Sequence, residues 1–135
     1  MKIEDKQLLL QDLCARLPYG VKISIPELWI SEKKIEVLNE IFKGDDGLFR
    51  VNGNGHCIEY IKPYLFPFSS MTEEQRKEYD GIIYKNIELH CERYYDVIDI
   101  DDFDCLIDFY HKYHLDYRGL IPMGLAIDAT GLNIY

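Results

Sequence analysis

The second half of the sequence has few basic residues. Residues 69–135 contain 14 Asp and Glu against 6 Lys and Arg, a balance of −8, whereas residues 1–68 contain 10 acids and 9 bases, a balance of −1. Proteins that bind nucleic acids draw much of their affinity from clustered Lys and Arg, which neutralise phosphates. The shortage of bases argues against direct binding of DNA or RNA and favours either a protein partner with a basic surface or a simple role of the charge in solubility.

The sequence also lacks a long apolar run and a recognisable export signal. No stretch approaches the roughly 20 apolar residues that a membrane-spanning helix needs, so no membrane association is predicted. The apolar stretch near the N-terminus is interrupted by Glu4, Asp5 and Asp12, which is atypical of a signal peptide. These absences predict a cytoplasmic protein.

Cysteine pairs with metal-binding spacing are missing. The four cysteines are Cys14, Cys57, Cys91 and Cys105. Without an export signal they are predicted to be reduced. His56-Cys57 and His90-Cys91 are poor zinc ligands, because zinc sites usually take ligands about two to four residues apart and neighbours on a strand point to opposite faces. No Walker loop, GxSxG or GxGxxG motif occurs, so no cofactor is predicted.

The first half reads as a helix followed by short strands. Leucines at 9, 10, 13 and 17 recur at helical spacing, which predicts a helix over residues 5–16 in a single domain. VKISI alternates β-branched residues, and the turn motifs GDDG and NGNG separate further apolar runs. KKIEVLNEIF fits either a helix or a strand, and its neighbours favour a strand. Residues 20–62 are therefore predicted to form an antiparallel meander.

Proline and a capping signal mark the change to the second half. KPYLFPF carries two prolines, which predicts an extended connector that is excluded from a central strand. Thr72 and Gln75 have the spacing of a capping box, so a helix is predicted to begin there, and Gly81 is a candidate for its end. The predicted class is α+β, with an N-terminal helix, a small antiparallel sheet and C-terminal helices packed on the sheet.

DVIDIDDFDCLIDFYHKYHLDYRGL is dense in Asp. Asp101 is predicted to be the N-cap of a final helix, whose positive dipole end suits Asp102. Asp104, Asp108 and His111 share one face at about 100° per residue. Capping, the dipole and solvent exposure account for most of these acids. The alternative is a metal-assisted hydrolase in which Asp104, Asp108 and His111 hold a divalent cation, or act as a base and its orienter.

Three strings stand out at residues 62–65, 69–75 and 116–126: KPYL, SSMTEEQ and DYRGLIPMGLA. Together they resemble a family of small, uncharacterised bacterial proteins that are often associated with phages or mobile elements. Gln75 stands where the family more commonly has an acid. The resemblance implies a variable N-terminal β region, a joint and a helix, and it brings no activity, cofactor or catalytic residue.

The DYRGL string suits the exit of the final helix. Gly119 can adopt the positive φ of a C-terminal cap, and Arg118 can reach the last helical carbonyls or pair with Asp116. Residues predicted to have structural roles are Thr72, Gln75, Asp101, Arg118 and Gly119.

Tyrosine is abundant in the acidic half, which holds eight of the 11 tyrosines. Tyrosine is enriched in protein interfaces, although part of this set is expected to line the core. The residues predicted to contact a partner are Phe109, Tyr113, Asp104 and Asp108.

The leading hypothesis is a non-enzymatic accessory or protein-binding module. A nucleic-acid mimic is a further hypothesis, based on six acids between residues 96 and 108 without an intervening base. The oligomeric state is left open.

Overall fold

The first element is a helix, as its leucine spacing predicts. The computed structural model describes residues 1–26, 33–53, 56–91 and 100–135. Helix α1 spans Ile3–Arg16, and its inward face buries Leu9 and Leu13 completely. A 3-10 turn over Leu17–Tyr19 follows, and Gly20, with a φ of 69°, redirects the chain towards the first strand.

Short strands make up the two sheets. In chain order the described strands are β1 (Lys22–Pro26), β2 (Lys33–Val37), β3 (Ile41–Lys43), β4 (Phe49–Val51), β5 (His56–Cys57), β6 (Lys62–Leu65) and β7 (Ile127–Asp128). Four of them form one sheet in the order β2-β1-β6-β7, and the other three form the order β3-β4-β5. The β6–β7 pair is parallel and the other pairs are antiparallel. The predicted antiparallel pairing is confirmed, but the strands divide between two sheets instead of forming one meander.

Asn52 links the two sheets. It follows β4 with a φ of 53°, a conformation that asparagine tolerates better than most residues. Its Oδ1 accepts the N–H of Asn39 at 2.9 Å and that of Glu40 at 3.3 Å, and its Nδ2 donates to the carbonyl of Val37 at 2.8 Å. These bonds satisfy backbone groups at the end of β2 and just after it. They join the end of β4 to the end of β2, and so connect the three-stranded sheet to the four-stranded sheet.

The prediction that KPYLFPF stays outside a central strand is wrong. Strand β6 contains Pro63 and lies between β1 and β7. Its two halves pair with different neighbours, since Lys62 and Pro63 face β1, whereas Tyr64 and Leu65 face β7. Because the ladder to β1 stops at Pro63, the missing N–H of proline breaks no continuous ladder.

Helix α2 begins at the predicted capping box. It spans Glu73–Cys91. The N–H of Gln75 donates to Thr72 Oγ1 at 3.1 Å, and the N–H of Thr72 donates to Gln75 Oε1 at 3.0 Å. The capping box is therefore confirmed. Gly81 lies inside the helix and does not end it.

Helix α3 spans Ile100–Lys112, so the predicted N-cap is wrong. Asp101 is the second residue of the helix and lies within its first turn. The residue that precedes Ile100 belongs to residues 92–99, which lie outside the described part of the chain. An acid in the first turn still suits the positive end of the helix dipole.

His114 ends α3. Its φ of 54° turns the chain back, and the N–H of Leu115 then donates to the carbonyl of Tyr110 at 2.8 Å. Gly119 has the predicted positive φ, 74°, but it lies in the turn beyond this cap and not at the helix exit. The positive φ is confirmed and the position of the cap is corrected.

A cluster of buried apolar side chains joins α1 to both sheets. Its members are Leu9, Leu13, Val21, Ile23, Ile25, Leu38, Val51, Ile58, Ile61, Leu65, Leu120, Leu125 and Ala126. Helices α2 and α3 contact each other through the rings of Tyr79 and Phe109, whose centroids are 5.9 Å apart. The fold is α+β, as predicted. Within the described ranges, no helix is long and apolar enough to cross a membrane.

Candidate functional site

The three candidate catalytic residues, Asp104, Asp108 and His111, do not converge. The side chains of Asp104 and Asp108 are exposed, and Asp108 accepts a hydrogen bond from the hydroxyl of Tyr19. His111 turns inward and is 5% exposed, with its Nε2 hydrogen-bonded to the hydroxyl of Tyr117 at 2.8 Å. The two carboxylates therefore lie at the surface and the imidazole is buried, although Asp108 and His111 are neighbours across the side chain of Tyr19.

Metal-ligating side chains are likewise dispersed. The described part of the chain holds no group of three or more His, Cys, Asp and Glu side chains that could bind a metal ion. His56-Cys57 forms strand β5, where neighbouring side chains point to opposite faces. The side chains of His90 and Cys91 lie outside the described residues, as do residues 96–99, on which the nucleic-acid-mimic hypothesis partly depends.

Tyr19 contacts two of the three candidates, and sequence analysis missed it. Its hydroxyl donates to Asp108, and its ring packs on His111 with the ring centroids 5.1 Å apart. The hydrogen bond to Asp108, followed by burial, raises the pKa of Tyr19 above its ordinary value. A separation of 89 residues between Tyr19 and Asp108 leaves no local spacing that predicts the contact.

Next to these residues lies a buried charge cluster, formed by Asp12, Arg16 and Arg118. Asp12 and Arg16 are one turn apart on α1, and both are fully buried. Arg16 Nε donates to Asp12 Oδ2 at 2.8 Å, and its Nη2 donates to the carbonyl of Leu115 at 2.7 Å. Arg118 Nε lies 3.3 Å from Asp12 Oδ1. One carboxylate thus pairs with two guanidinium groups and ties α1 to the segment after α3.

Tyr117 packs against both guanidinium groups of the buried charge cluster. The Cζ atoms of Arg16 and Arg118 lie 5.3 Å and 5.0 Å from the centroid of its ring, within the range of a cation–π contact. Burial, and next the positive charge of Arg16, lower the pKa of His111, which shares a hydrogen bond with Tyr117. The imidazole is therefore neutral at pH 7. The ring of Tyr117 and the two guanidinium groups pack together where α1 meets the segment after α3.

Arg118 takes neither of its predicted partners. It pairs with Asp12 of α1, and not with the last carbonyls of α3 or with Asp116. Asp116 instead accepts the N–H of Leu120 at 2.8 Å and the N–H of Ile121 at 2.9 Å, which closes the turn that contains Gly119. The partners predicted for Arg118 are therefore wrong. The fold places Asp12 of α1 beside Arg118, and no local spacing in the sequence indicates this contact.

The predicted contact residues of α3 divide into buried and accessible ones. Phe109 is 2% exposed and packs against the rings of Tyr79 and Tyr113, at centroid distances of 5.9 Å and 5.1 Å. The prediction that Phe109 faces a partner is wrong, because α2 covers it. Tyr113 is half-buried, and its hydroxyl donates to Glu78 at 2.5 Å. This bond lowers the pKa of Glu78.

An apolar groove opens between α1 and the three-stranded sheet. It measures about 180 Å³. Its apolar lining comes from Ile3, Leu10, Leu48, Phe49, Cys57 and Ile58. The lining residues come from three separate segments, which the fold brings together, so sequence analysis did not find the groove.

Exposed apolar side chains and one ion pair form the rim of the groove. Ile3 is 74% exposed and Leu48 is 45% exposed. Lys6 Nζ lies 2.7 Å from Glu59 Oε2, and this contact raises the pKa of Lys6 and lowers the pKa of Glu59. Because the two charges neutralise each other, the groove itself suits an apolar group.

Comparison with known proteins gives no relative from which a function could be transferred. No family model, curated protein or solved structure matches this chain significantly.

Proposed function

We propose that the protein is a non-enzymatic binding module whose groove takes a large apolar side chain of a basic partner protein. The groove between α1 and the three-stranded sheet carries this proposal. It is concave and lined mainly by apolar side chains, which is typical of binding sites. The exposed fractions of Ile3 and Leu48 leave apolar surface at its rim that a partner would cover.

The size of the groove suits one anchoring side chain. An engineered protein cavity of about 150 Å³ is large enough to bind benzene. The groove measures about 180 Å³ and therefore has room for a Leu, Met or Phe side chain. A few residues buried in well-packed pockets commonly supply most of the free energy of binding between proteins.

The charge of the protein supports a basic partner. The chain has a formal net charge of −9, and Asp104 and Asp108 are exposed on α3. Glu4 and Asp45 are also exposed, close in sequence to lining residues of the groove. Such a field attracts cationic partners over about 10 Å at 0.1 M salt and weakens as salt is added.

Synthetic peptides test the groove. We expect peptides with a central Leu, Met or Phe between lysines to bind in fluorescence anisotropy, and matched peptides with a central Ser to bind at least tenfold more weakly. Leu48→Glu places a charge at the groove rim and should abolish this difference. Leu132→Glu is the matched control, because Leu132 is also exposed, at 49%, and lies outside the groove lining. Equal loss in both variants, or no binding by any peptide, would contradict the proposal.

Salt and charge reversal test the basic partner. Replacing the lysines of the same peptides by glutamates should remove binding, and raising the salt concentration should weaken binding of the lysine series. Asp104→Lys and Glu40→Lys reverse the charge at two exposed sites, and each should reduce the association rate at low salt. An affinity that did not depend on salt would contradict the basic partner. The claim that the groove binds an apolar side chain would then be tested by the peptide comparison alone.

A further inference from the structure

Residues 134 and 135 are held against the four-stranded sheet by polar contacts. The N–H of Lys22, in β1, donates to the hydroxyl of Tyr135 at 2.9 Å, and the ammonium of Lys22 donates to the carbonyl of Ile134. The hydroxyl of Tyr135 in turn donates to the carbonyl of Tyr64, in β6, at 2.7 Å. We call this arrangement the C-terminal clasp. It joins two neighbouring strands to a segment that is distant in sequence.

His114 forms the aromatic side of the C-terminal clasp. Its imidazole stacks on the ring of Tyr135, with centroids 4.1 Å apart and planes inclined by 15°. The backbone of His114 is fixed as well, because its carbonyl accepts the N–H of Phe66 at 2.8 Å beyond the end of β6. The ring of Phe66 also packs on Tyr135, at 5.6 Å. The imidazole therefore lies where α3, the sheet and the clasp meet.

Cations face His114 from two elements. Arg16 of α1 and Lys22 of β1 both disfavour a positive charge on its imidazole, and burial disfavours that charge more than either of them. The pKa of His114 is lowered to about 4. Its Nδ1 is buried and has no hydrogen-bond partner among the described residues. Asp12, the buried carboxylate of this region, is already shared by Arg16 and Arg118.

We propose that His114 is an acid-sensitive latch, and that protonation of its imidazole beside Arg16 and Lys22 releases Ile134 and Tyr135 from β1 and β6. A protonated imidazole would gain a cation–π contact with the ring of Tyr135. It would also become a third cation in a partly buried space with Arg16 and Lys22. Release of the clasp returns the imidazolium to water and relieves this repulsion.

The sign of the pH dependence follows from the direction of the pKa shift. The free imidazole titrates near 6.5 and the clasped one near 4, so the open form binds more protons between these values. The clasp is therefore fully favoured above pH 6.5 and loses stability as the pH falls towards 4. The imidazole of His111 faces Asp12, Arg16, Arg118 and Asp108 instead, and it packs on the rings of Tyr19 and Tyr117 rather than on Tyr135.

A pH titration followed by NMR tests the latch in the full chain. We expect the ring signals of Tyr135 to move towards values of an unstructured tyrosine between pH 6.5 and 4, with the same midpoint as the imidazole of His114. The helical circular dichroism signal should stay constant over this range. An unchanged Tyr135 signal, or its loss together with the helical signal, would overturn the proposal.

Two substitutions of His114 separate protonation from packing. His114→Asn tolerates the φ of 54°, and His114→Phe keeps a ring to stack on Tyr135, while neither side chain titrates. The pH step at Tyr135 should disappear in whichever of the two variants folds. His111→Gln is the control, and it should keep a step within about half a pH unit of the native midpoint. A step that survives in the His114 variants, or disappears in His111→Gln alone, contradicts the latch.

Discussion

At the scale of single residues, this protein buries charge, which carries a cost. An ionised side chain removed from water is destabilising unless opposite charge and hydrogen bonds compensate it. Asp12 compensates Arg16 through the 2.8 Å bond to Nε, and the carbonyl of Leu115 takes up Nη2. Because both side chains are fully buried, neither can return to water without opening the contact between α1 and the segment after α3.

Asp12→Asn is therefore expected to be strongly destabilising. The substitution keeps the shape of the side chain and leaves the positive charge of Arg16 buried without a compensating anion. The free energy of unfolding should fall by about 3–5 kcal/mol, measured by urea denaturation. Glu59→Gln removes one partner of the Lys6–Glu59 pair, which is only partly buried, and should have little effect. If the free energy of unfolding fell by a similar amount in the two variants, burial of the Asp12–Arg16 pair would not contribute to stability as proposed.

Two glycines should respond in opposite ways to the same substitution. Neither Gly119 nor Gly81 has a heavy atom within 4 Å of an added Cβ, so space does not distinguish them. Gly119 has a φ of 74°, and Gly119→Ala should destabilise the fold by about 1 kcal/mol through backbone strain. Gly81 lies inside α2, and Gly81→Ala should stabilise it by about 0.5–1 kcal/mol. Thermal unfolding of both variants gives the sign of each change in stability. Melting temperatures that shifted in the same direction would contradict this prediction.

At the scale of elements, the start of α2 depends on one reciprocal pair. Thr72→Ala removes the oxygen that accepts the N–H of Gln75 at 3.1 Å. The variant should lose about 1 kcal/mol of stability, and amide exchange should accelerate in the first turn of α2 before it does elsewhere. Thr130→Ala is a suitable control, because the hydrogen bond of Thr130 to Asp128 uses its backbone N–H. An equal change in the control would argue against a capping effect.

Elements that depend on short-range signals could be predicted from the sequence. The leucine spacing predicted α1, and the three-residue spacing of Thr72 and Gln75 predicted the start of α2. Pro63 could not be placed in the same way, because the strand that contains it changes partners at that residue. Phe109 and Tyr113 shared a predicted surface because the sequence does not show that α2 covers Phe109.

At the scale of the whole molecule, the candidate sites were the least predictable part. The groove combines α1 with two strand segments, and the contact of Tyr19 with Asp108 spans 89 residues. Periodicity and capping rules report neighbours within about one helical turn or one hairpin, so they cannot report such contacts. The charge balance of the chain needed no coordinates, and it supports a prediction for the molecule as a whole.

The net charge of −9 should make a single exposed site sensitive to charge and salt. Met123 is 47% exposed, and Lys, Gln and Glu place unbranched polar side chains at this site that differ chiefly in charge. Because a net negative molecule repels itself when compact, stability at low salt should fall in the order Met123→Lys, Met123→Gln, Met123→Glu, with steps of about a few tenths of a kcal/mol. Raising the salt to about 0.5 M should compress the three values towards one, since the screening length falls below about 10 Å. Chemical denaturation with urea, which is uncharged, measures these differences. If the spread were independent of salt, local contacts of residue 123 would explain it better than the field of the whole protein.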